Sequence, residues 1–147
     1  MQATIKKGTT MQINVETTVS APIQAVWRAY LTPEDIIQWN AASDDWHTTK
    51  ATVDLRVGGE FTSRMEAKDG SFGFDFAGVY TRIETNRLLE YSFGERKASI
   101  SFAETPNGVT VKVAFDAEET HSIEQQQGGW QAILNNFKRH VESTQQA

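Results

Sequence analysis

FTSRMEAKDGSFGFDFAGVY, residues 61 to 80, decides how the chain folds. Phe61, Ser63 and Met65 occupy alternate positions, and so do Phe72, Phe74, Phe76, Gly78 and Tyr80. A period of two places each set on one face of a strand. Between them stands Asp69-Gly70, a dipeptide suited to a two-residue hairpin turn. That turn pairs Lys68 with Ser71. Counting back, Met65 faces Phe74 on one side of the sheet, and Arg64 faces Asp75 on the other. Apolar meets apolar and cation meets anion, so the register is self-consistent.

The alternation continues in both directions. Ala51, Val53, Leu55 and Val57 precede a turn at Gly58-Gly59. Leu89, Tyr91 and Phe93 follow Asn86-Arg87, and Ala98, Ile100 and Phe102 follow Glu95-Arg96. Val109, Val111, Val113 and Phe115 follow Asn107-Gly108. Turns centred on Glu95-Arg96 and Asn107-Gly108 set Phe93 opposite Ala98 and Tyr91 opposite Ile100. They also set Phe102 opposite Val113 and Ile100 opposite Phe115. Pro106 conflicts with the last arrangement, because it lacks the N–H that a paired position uses. Near the start, Met11, Ile13, Val15 and Val19 form one more half-buried strand. The count comes to about seven.

Elsewhere the period becomes helical. In SAPIQAVWRAYL (20–31), Val26, Trp27, Tyr30 and Leu31 share a face, with Ser20 as cap and Pro22 in the first turn. In TPEDIIQWN (32–40), Thr32 caps, Pro33 starts the helix, and Ile36, Ile37 and Trp39 face inward. The longest helix comes last. Ser122 and Gln125 are spaced as a capping box, and Ile123, Trp130, Ile133, Leu134, Phe137 and Val141 form its apolar stripe. Gly128 and Gly129 interrupt it, each costing about 1 kcal/mol relative to alanine. Three readings compete. The glycines let the helix approach its neighbours closely, or they kink it, or they leave space at a cavity mouth with Trp130 as lid.

This order of elements implies an α+β fold, with helices segregated to one face of an antiparallel sheet. The twisted sheet curls around the long helix, and the two short helices close one end. One domain spans residues 1–147, with 1–10 and 143–147 expected to be flexible ends.

Composition narrows the function. The formal net charge is −5, which gives no general reason to bind nucleic acid or anionic lipid. Basic residues cluster only at Lys6-Lys7 and Lys138-Arg139-His140, the latter near a helix end where positive charge suits the dipole. Cysteine is absent, which excludes disulfides and thiolate chemistry. The N-terminal MQATIKKGTTMQ carries no signal-like apolar run, and no segment reaches the ~20 apolar residues of a membrane span. A cytoplasmic protein is expected.

Catalytic motifs are missing. There is no GxSxG, no phosphate-binding loop and no HExxH. His47, His121 and His140 each lack a second ligand at metal spacing, although Glu118 and Glu119 lie near His121. No metal, cofactor or catalytic residue is assigned. Asp44-Asp45-Trp46-His47 is the strongest acid–base candidate by residue type, set against a polar loop holding one buried tryptophan. Arg64 and Asp75 read as a surface pair.

APIQAVWRAYLTPEDIIQWN, VDLRVGGEF, RMEAKDGSFGFDFAGVY and GGWQAILNNFKRHVE, lying between Ser20 and Glu142, resemble the helix-grip, START-like superfamily. That superfamily includes polyketide cyclases, lipid-transfer domains and birch-pollen-allergen-like proteins. Within it, the chain most resembles the family of the C-terminal domain of the activator of the heat-shock-protein-90 ATPase. The resemblance implies a curved sheet gripping the last helix around an apolar cavity. Carried onto this sequence, the wall comprises Trp39, Phe61, Ser63, Met65, Phe74, Phe76, Tyr91, Phe102, Gln127, Trp130 and Leu134, with Asn40 at the closed end. The implied function is non-catalytic binding of a small apolar molecule, by a monomer or homodimer. The resemblance also implies two alternatives. One is a chaperone-associated module of the stress response acting through its outer surface. The other is a cyclase- or hydrolase-type enzyme using cavity polar groups, with Asp45 and His47 as the residues to test.

Overall fold

The computed structural model describes residues 11–145. The segment 1–10, with its Lys6-Lys7 pair, and the last two residues lie outside that range. Seven strands and three helices follow one another as β1 (Gln12–Val19), α1 (Ile23–Leu31), α2 (Pro33–Trp39), β2 (Trp46–Val53), β3 (Glu60–Ala67), β4 (Gly73–Glu84), β5 (Leu88–Phe93), β6 (Arg96–Thr105), β7 (Gly108–Asp116) and α3 (Ile123–Thr144). All strands join one antiparallel sheet in the order β1-β7-β6-β5-β4-β3-β2. The chain thus starts at one edge, crosses with α1 and α2 to the other, and returns by successive hairpins. This is the expected α+β helix-grip arrangement.

The opening hairpin has the register its sequence dictates, with Met65 opposite Phe74 and Arg64 opposite Asp75. Two other hairpins are shifted by two residues. Phe93 pairs with Arg96, Tyr91 with Ala98 and Leu89 with Ile100. Gly94 makes the difference: with φ of 65° it occupies the first central position of a Gly94-Glu95 turn, where a positive φ is required. Likewise Phe102 pairs with Val111, Ile100 with Val113 and Ala98 with Phe115. Here Pro106 and Asn107 form the turn. The fixed φ of proline suits its first central position, and its missing N–H costs nothing there. The conflict at Pro106 was the signal of this shift. An even displacement leaves every side chain on its own face, so the core is the same in either register.

Other boundaries differ locally. Strand β2 stops at Val53, and Leu55 and Val57 are exposed in the connection to β3. Ser20 does not cap α1. Pro22 occupies that position, and the Ser20 N–H donates to Glu142 Oε2 at 2.8 Å. The Thr32 hydroxyl donates back to Arg28 O at 2.7 Å, closing α1 rather than opening α2. Ser122 and Gln125 do form the capping box of α3. The last turn of α3 includes Ser143 and Thr144.

The densest packing lies under β1, β7, β6 and β5. Val19, Val26, Leu89, Ile100, Val109, Val111, Phe115, Phe137 and Val141 are fully buried there. Trp39 pins α2 to α1 by donating from Nε1 to Ala29 O at 3.0 Å, and its ring meets Phe137 edge-on at 5.0 Å. A second tie joins α2 to α3, where His140 Nε2 lies 2.8 Å from Asp35 Oδ1. His140 therefore serves a cross-helix bond rather than its own helix dipole.

Candidate ligand cavity

The position of α3 determines where the space is. Strand β1 is an edge, and alternate backbone carbonyls point away from its partner β7. Three side chains of α3 meet them in order. Gln127 Nε2 donates to Asn14 O at 3.1 Å, Gln131 Nε2 to Glu16 O at 3.1 Å, and Lys138 Nζ to Thr18 O at 2.6 Å. This clasp satisfies the edge and draws α3 to the β1 side, where the helix also packs on α1 and α2. The opposite wing, β2–β3–β4, receives no comparable cover from α3.

Between that wing and α3 lies a cavity of about 500 Å³. Its wall comes from α2, the inward positions of β2 to β5, and the sheet-facing side of α3. Trp39, Phe61, Ser63, Met65, Phe74, Phe76, Tyr91, Trp130 and Leu134 all line it, as does Asn40. Aromatic contacts make this wall. Phe61 meets Tyr91 edge-on at 4.8 Å and Tyr80 at 5.2 Å, and Phe76 faces Phe93 and Trp130. Gly78 makes room for the Phe61 ring, since a Cβ there would come within 2.6 Å of it. Phe74, 41% exposed, stands at the rim beside Trp46.

Two expected wall residues lie elsewhere. Phe102 is covered by α1, with Trp27 edge-on at 5.2 Å and Tyr30 at 5.7 Å, and it belongs to the closed core. Gln127 is exposed and occupied in the clasp. Its neighbour Gln126 is the buried glutamine at the cavity. The Gln126 amide donates to Glu118 O at 3.0 Å and His121 O at 2.8 Å, and accepts from Glu118 N at 2.9 Å. It thereby fixes the loop before α3, which brings His121 to the cavity rim.

The glycine pair is explained by what is missing around it. A Cβ on Gly128 or Gly129 would meet nothing within 4 Å. Close approach is therefore not their purpose, and α3 runs unbroken from Ile123 to Thr144. Gly129 lines the cavity next to Trp130 and leaves space there, whereas Gly128 is exposed and outside the wall. Trp130 is more wall than lid: its ring stacks on Phe115 at 3.9 Å with an interplanar angle of 9°.

The polar candidates by residue type do not converge. Asp44, Asp45 and His47 are exposed and absent from the wall, Asp45 accepting from Ser43 Oγ at 2.5 Å. Only Trp46 of that run reaches the cavity. His121 Nδ1 lies 2.6 Å from Glu118 Oε2, and this contact holds the Glu118 carboxyl below the usual glutamate range. Arg64 bridges Glu66 at 3.0 Å and Asp75 at 3.4 Å on the outer face. Among the described residues no three carboxylate or histidine side chains gather as a metal site would require.

The polar groups in the wall are mostly hydroxyls. Tyr80 and Tyr91 are direct cross-strand partners on the inward face, and Tyr30 joins them from α1. Burial raises the Tyr80 hydroxyl to about 12. Burial, followed by the charges of Tyr30 and Tyr80, holds Tyr91 well above its ordinary value, and burial also pushes Tyr30 up. All three are neutral donors under ordinary conditions. The sequence reading included Tyr91 and missed the other two. Tyr80 could have been found from its even spacing with Phe74 and Phe76.

The family model for Activator of Hsp90 ATPase homolog 1-like protein matches residues 20–142. The chain belongs to this family. The solution structure of an AHSA1-like protein from Aeromonas hydrophila is 48% identical, covers 93% of this chain and 96% of its own, and superposes with a TM-score of 0.87. A protein from Cytophaga hutchinsonii is 47% identical, covers 92% of this chain and 94% of its own, with a TM-score of 0.78. One from Nitrosomonas europaea is 18% identical with a TM-score of 0.80, covering 92% and 97%, and shares the fold. No curated protein matches the chain. Among the described residues no helix is long and apolar enough to cross a membrane.

Proposed function

We propose that this member of the family binds one small apolar molecule between α3 and the β2–β3–β4 wing, without catalysis. The observation that carries this reading is the 500 Å³ cavity with an aromatic and aliphatic wall. That volume falls within the range of about 300–1,000 Å³ typical of small-molecule sites. The wall holds no carboxylate, lysine or arginine among the described residues. Its hydroxyls and amides can orient a ligand. Asp45 and His47, the residues an enzyme reading would use, are exposed and do not line the space.

Titration with a neutral apolar fluorophore such as N-phenyl-1-naphthylamine tests the reading. Saturable binding with quenching of tryptophan emission is expected. Gly129→Phe should abolish it, because the new ring enters open space at the wall. Absence of binding, or binding indifferent to Gly129→Phe, contradicts the proposal.

The family's description supports a second reading, association with the Hsp90 chaperone through the outer surface. Val57 and Phe72 are the most exposed apolar side chains, at 63% and 61%, but they stand at opposite ends of β3 and form no single patch. Co-precipitation with purified Hsp90 and stimulation of its ATPase would favour this second reading. The absence of both effects would weigh against it.

A further inference from the structure

Four of the hydroxyl-bearing residues that line the cavity, Tyr30, Ser63, Tyr80 and Tyr91, stand among its apolar side chains. Ser63, Tyr80 and Tyr91 belong to residues only 5%, 4% and 6% exposed. Their strands place them. Tyr80 and Tyr91 sit side by side across β4 and β5, and Phe61 packs against both rings. None of the four hydroxyls hydrogen-bonds another described residue. Yet no described side-chain nitrogen or oxygen is sealed from both a partner and the surface. The polar end of each phenol therefore opens on the cavity itself. A buried hydroxyl left without a hydrogen bond would cost roughly 1–3 kcal/mol, so the tyrosine pair favours an acceptor in the cavity at two neighbouring positions.

The chemistry of a matching ligand follows. The donors are neutral, and no cation lines the interior among the described residues. A carboxylate would enter without a counter-charge, which is far more costly than burying a dipole. A carbonyl oxygen has two lone pairs and can accept from two adjacent hydroxyls at once. Resting on the reading that this cavity binds an apolar molecule, we infer that Tyr80 and Tyr91, assisted by Tyr30, recognise a carbonyl oxygen on an uncharged, otherwise apolar ligand. Specificity for the carbonyl then resides in β4 and β5, while Phe61, Phe76, Trp130 and Leu134 hold the hydrocarbon.

A matched pair of probes separates the two ideas. Fluorenone and fluorene share a rigid ring skeleton and differ at one carbon, a carbonyl in the first and a methylene in the second. Their affinities are compared for the parent protein, Tyr80→Phe, Tyr91→Phe and the double variant, with 9-fluorenecarboxylate as the charged control. Fluorenone should bind the parent about three- to tenfold more tightly than fluorene for each hydroxyl engaged. The double variant should erase that preference while still binding fluorene, at least as tightly as the parent because its wall is more apolar, and a native-like circular dichroism spectrum and unfolding midpoint show that it is folded. The bound carbonyl stretch should shift to lower frequency in the parent and return in the double variant. The carboxylate should bind weakest. Equal binding of fluorenone and fluorene, or a preference that survives in the double variant, overturns the inference and leaves the apolar cavity standing. Binding of neither probe to the parent overturns both.

Discussion

The two halves of the sheet carry the same kind of sequence and come to different ends. Under β1, β7 and β6, alternating Val, Ile and Phe meet α3 and α1 and close into solid core. On β2, β3 and β4, alternating Phe, Ser and Met face the same way and enclose space. Strand pattern alone does not separate the two. The difference lies in the helix, which is held to the β1 edge by Gln127, Gln131 and Lys138. A sheet of seven strands is wider than one helix can cover, and the clasp decides which half is left open.

The comparison breaks most readily in the core. Phe137→Ala should cost about 3–5 kcal/mol in urea unfolding, because Phe137 is fully buried against Tyr30 and Trp39. Phe76→Ala, which removes a ring already facing a cavity, should cost roughly half as much or less. Equal losses would mean that the two halves are packed alike.

The clasp comes next. Replacing Gln127 and Gln131 by Leu and Lys138 by Met should lower stability by about 1–3 kcal/mol together, since each side chain makes one edge bond. Amide exchange in β1 and at its pairing with β7 should accelerate more than in β3. Uniform acceleration would deny α3 its special hold on that edge.

Glycine substitutions sharpen the contrast in the other direction. Gly128→Ala and Gly129→Ala should each stabilise by up to about 1 kcal/mol, as neither Cβ meets another atom. A loss instead would show close packing where the structure has space.

The smallest effect concerns pH. The Glu142 carboxyl accepts from Lys138 Nζ and Ser20 N, both at 2.8 Å, and these bonds hold it below the usual glutamate range. A depressed carboxylate stabilises the fold above the unfolded value of about 4.3, and that contribution fades as pH falls through the folded value. Glu142→Gln should therefore flatten the stability profile between about pH 5 and pH 3. An unchanged slope would remove Glu142 from the tie between α3 and the start of α1.

The legible part of the sequence was whatever depends on parity. Period two assigned Phe61, Met65, Phe76 and Tyr91 to the inward face, and the faces are insensitive to an even slip. For the same reason parity could not choose between turns centred on Glu95 and on Gly94. The backbone demand of Gly94 and the missing N–H of Pro106 carried that information instead. Cavity membership was less legible, because it depends on what lies opposite. Phe102 has the right parity, but Trp27 and Tyr30 cover it. Gln126 and Gln127 differ by one helical step, about 100° of rotation, and only the β1 edge determines which of them turns outward.

The central claim is that the space lies on the β2–β4 side of α3 and accepts an apolar guest. Nuclear Overhauser contacts between protein methyl groups and a bound neutral probe such as fluorene measure this directly. The account predicts contacts from Met65, Ile133 and Leu134, and none from Val19, Val109 or Val141. Contacts to the second set, or a saturated sample showing none at all, would contradict it.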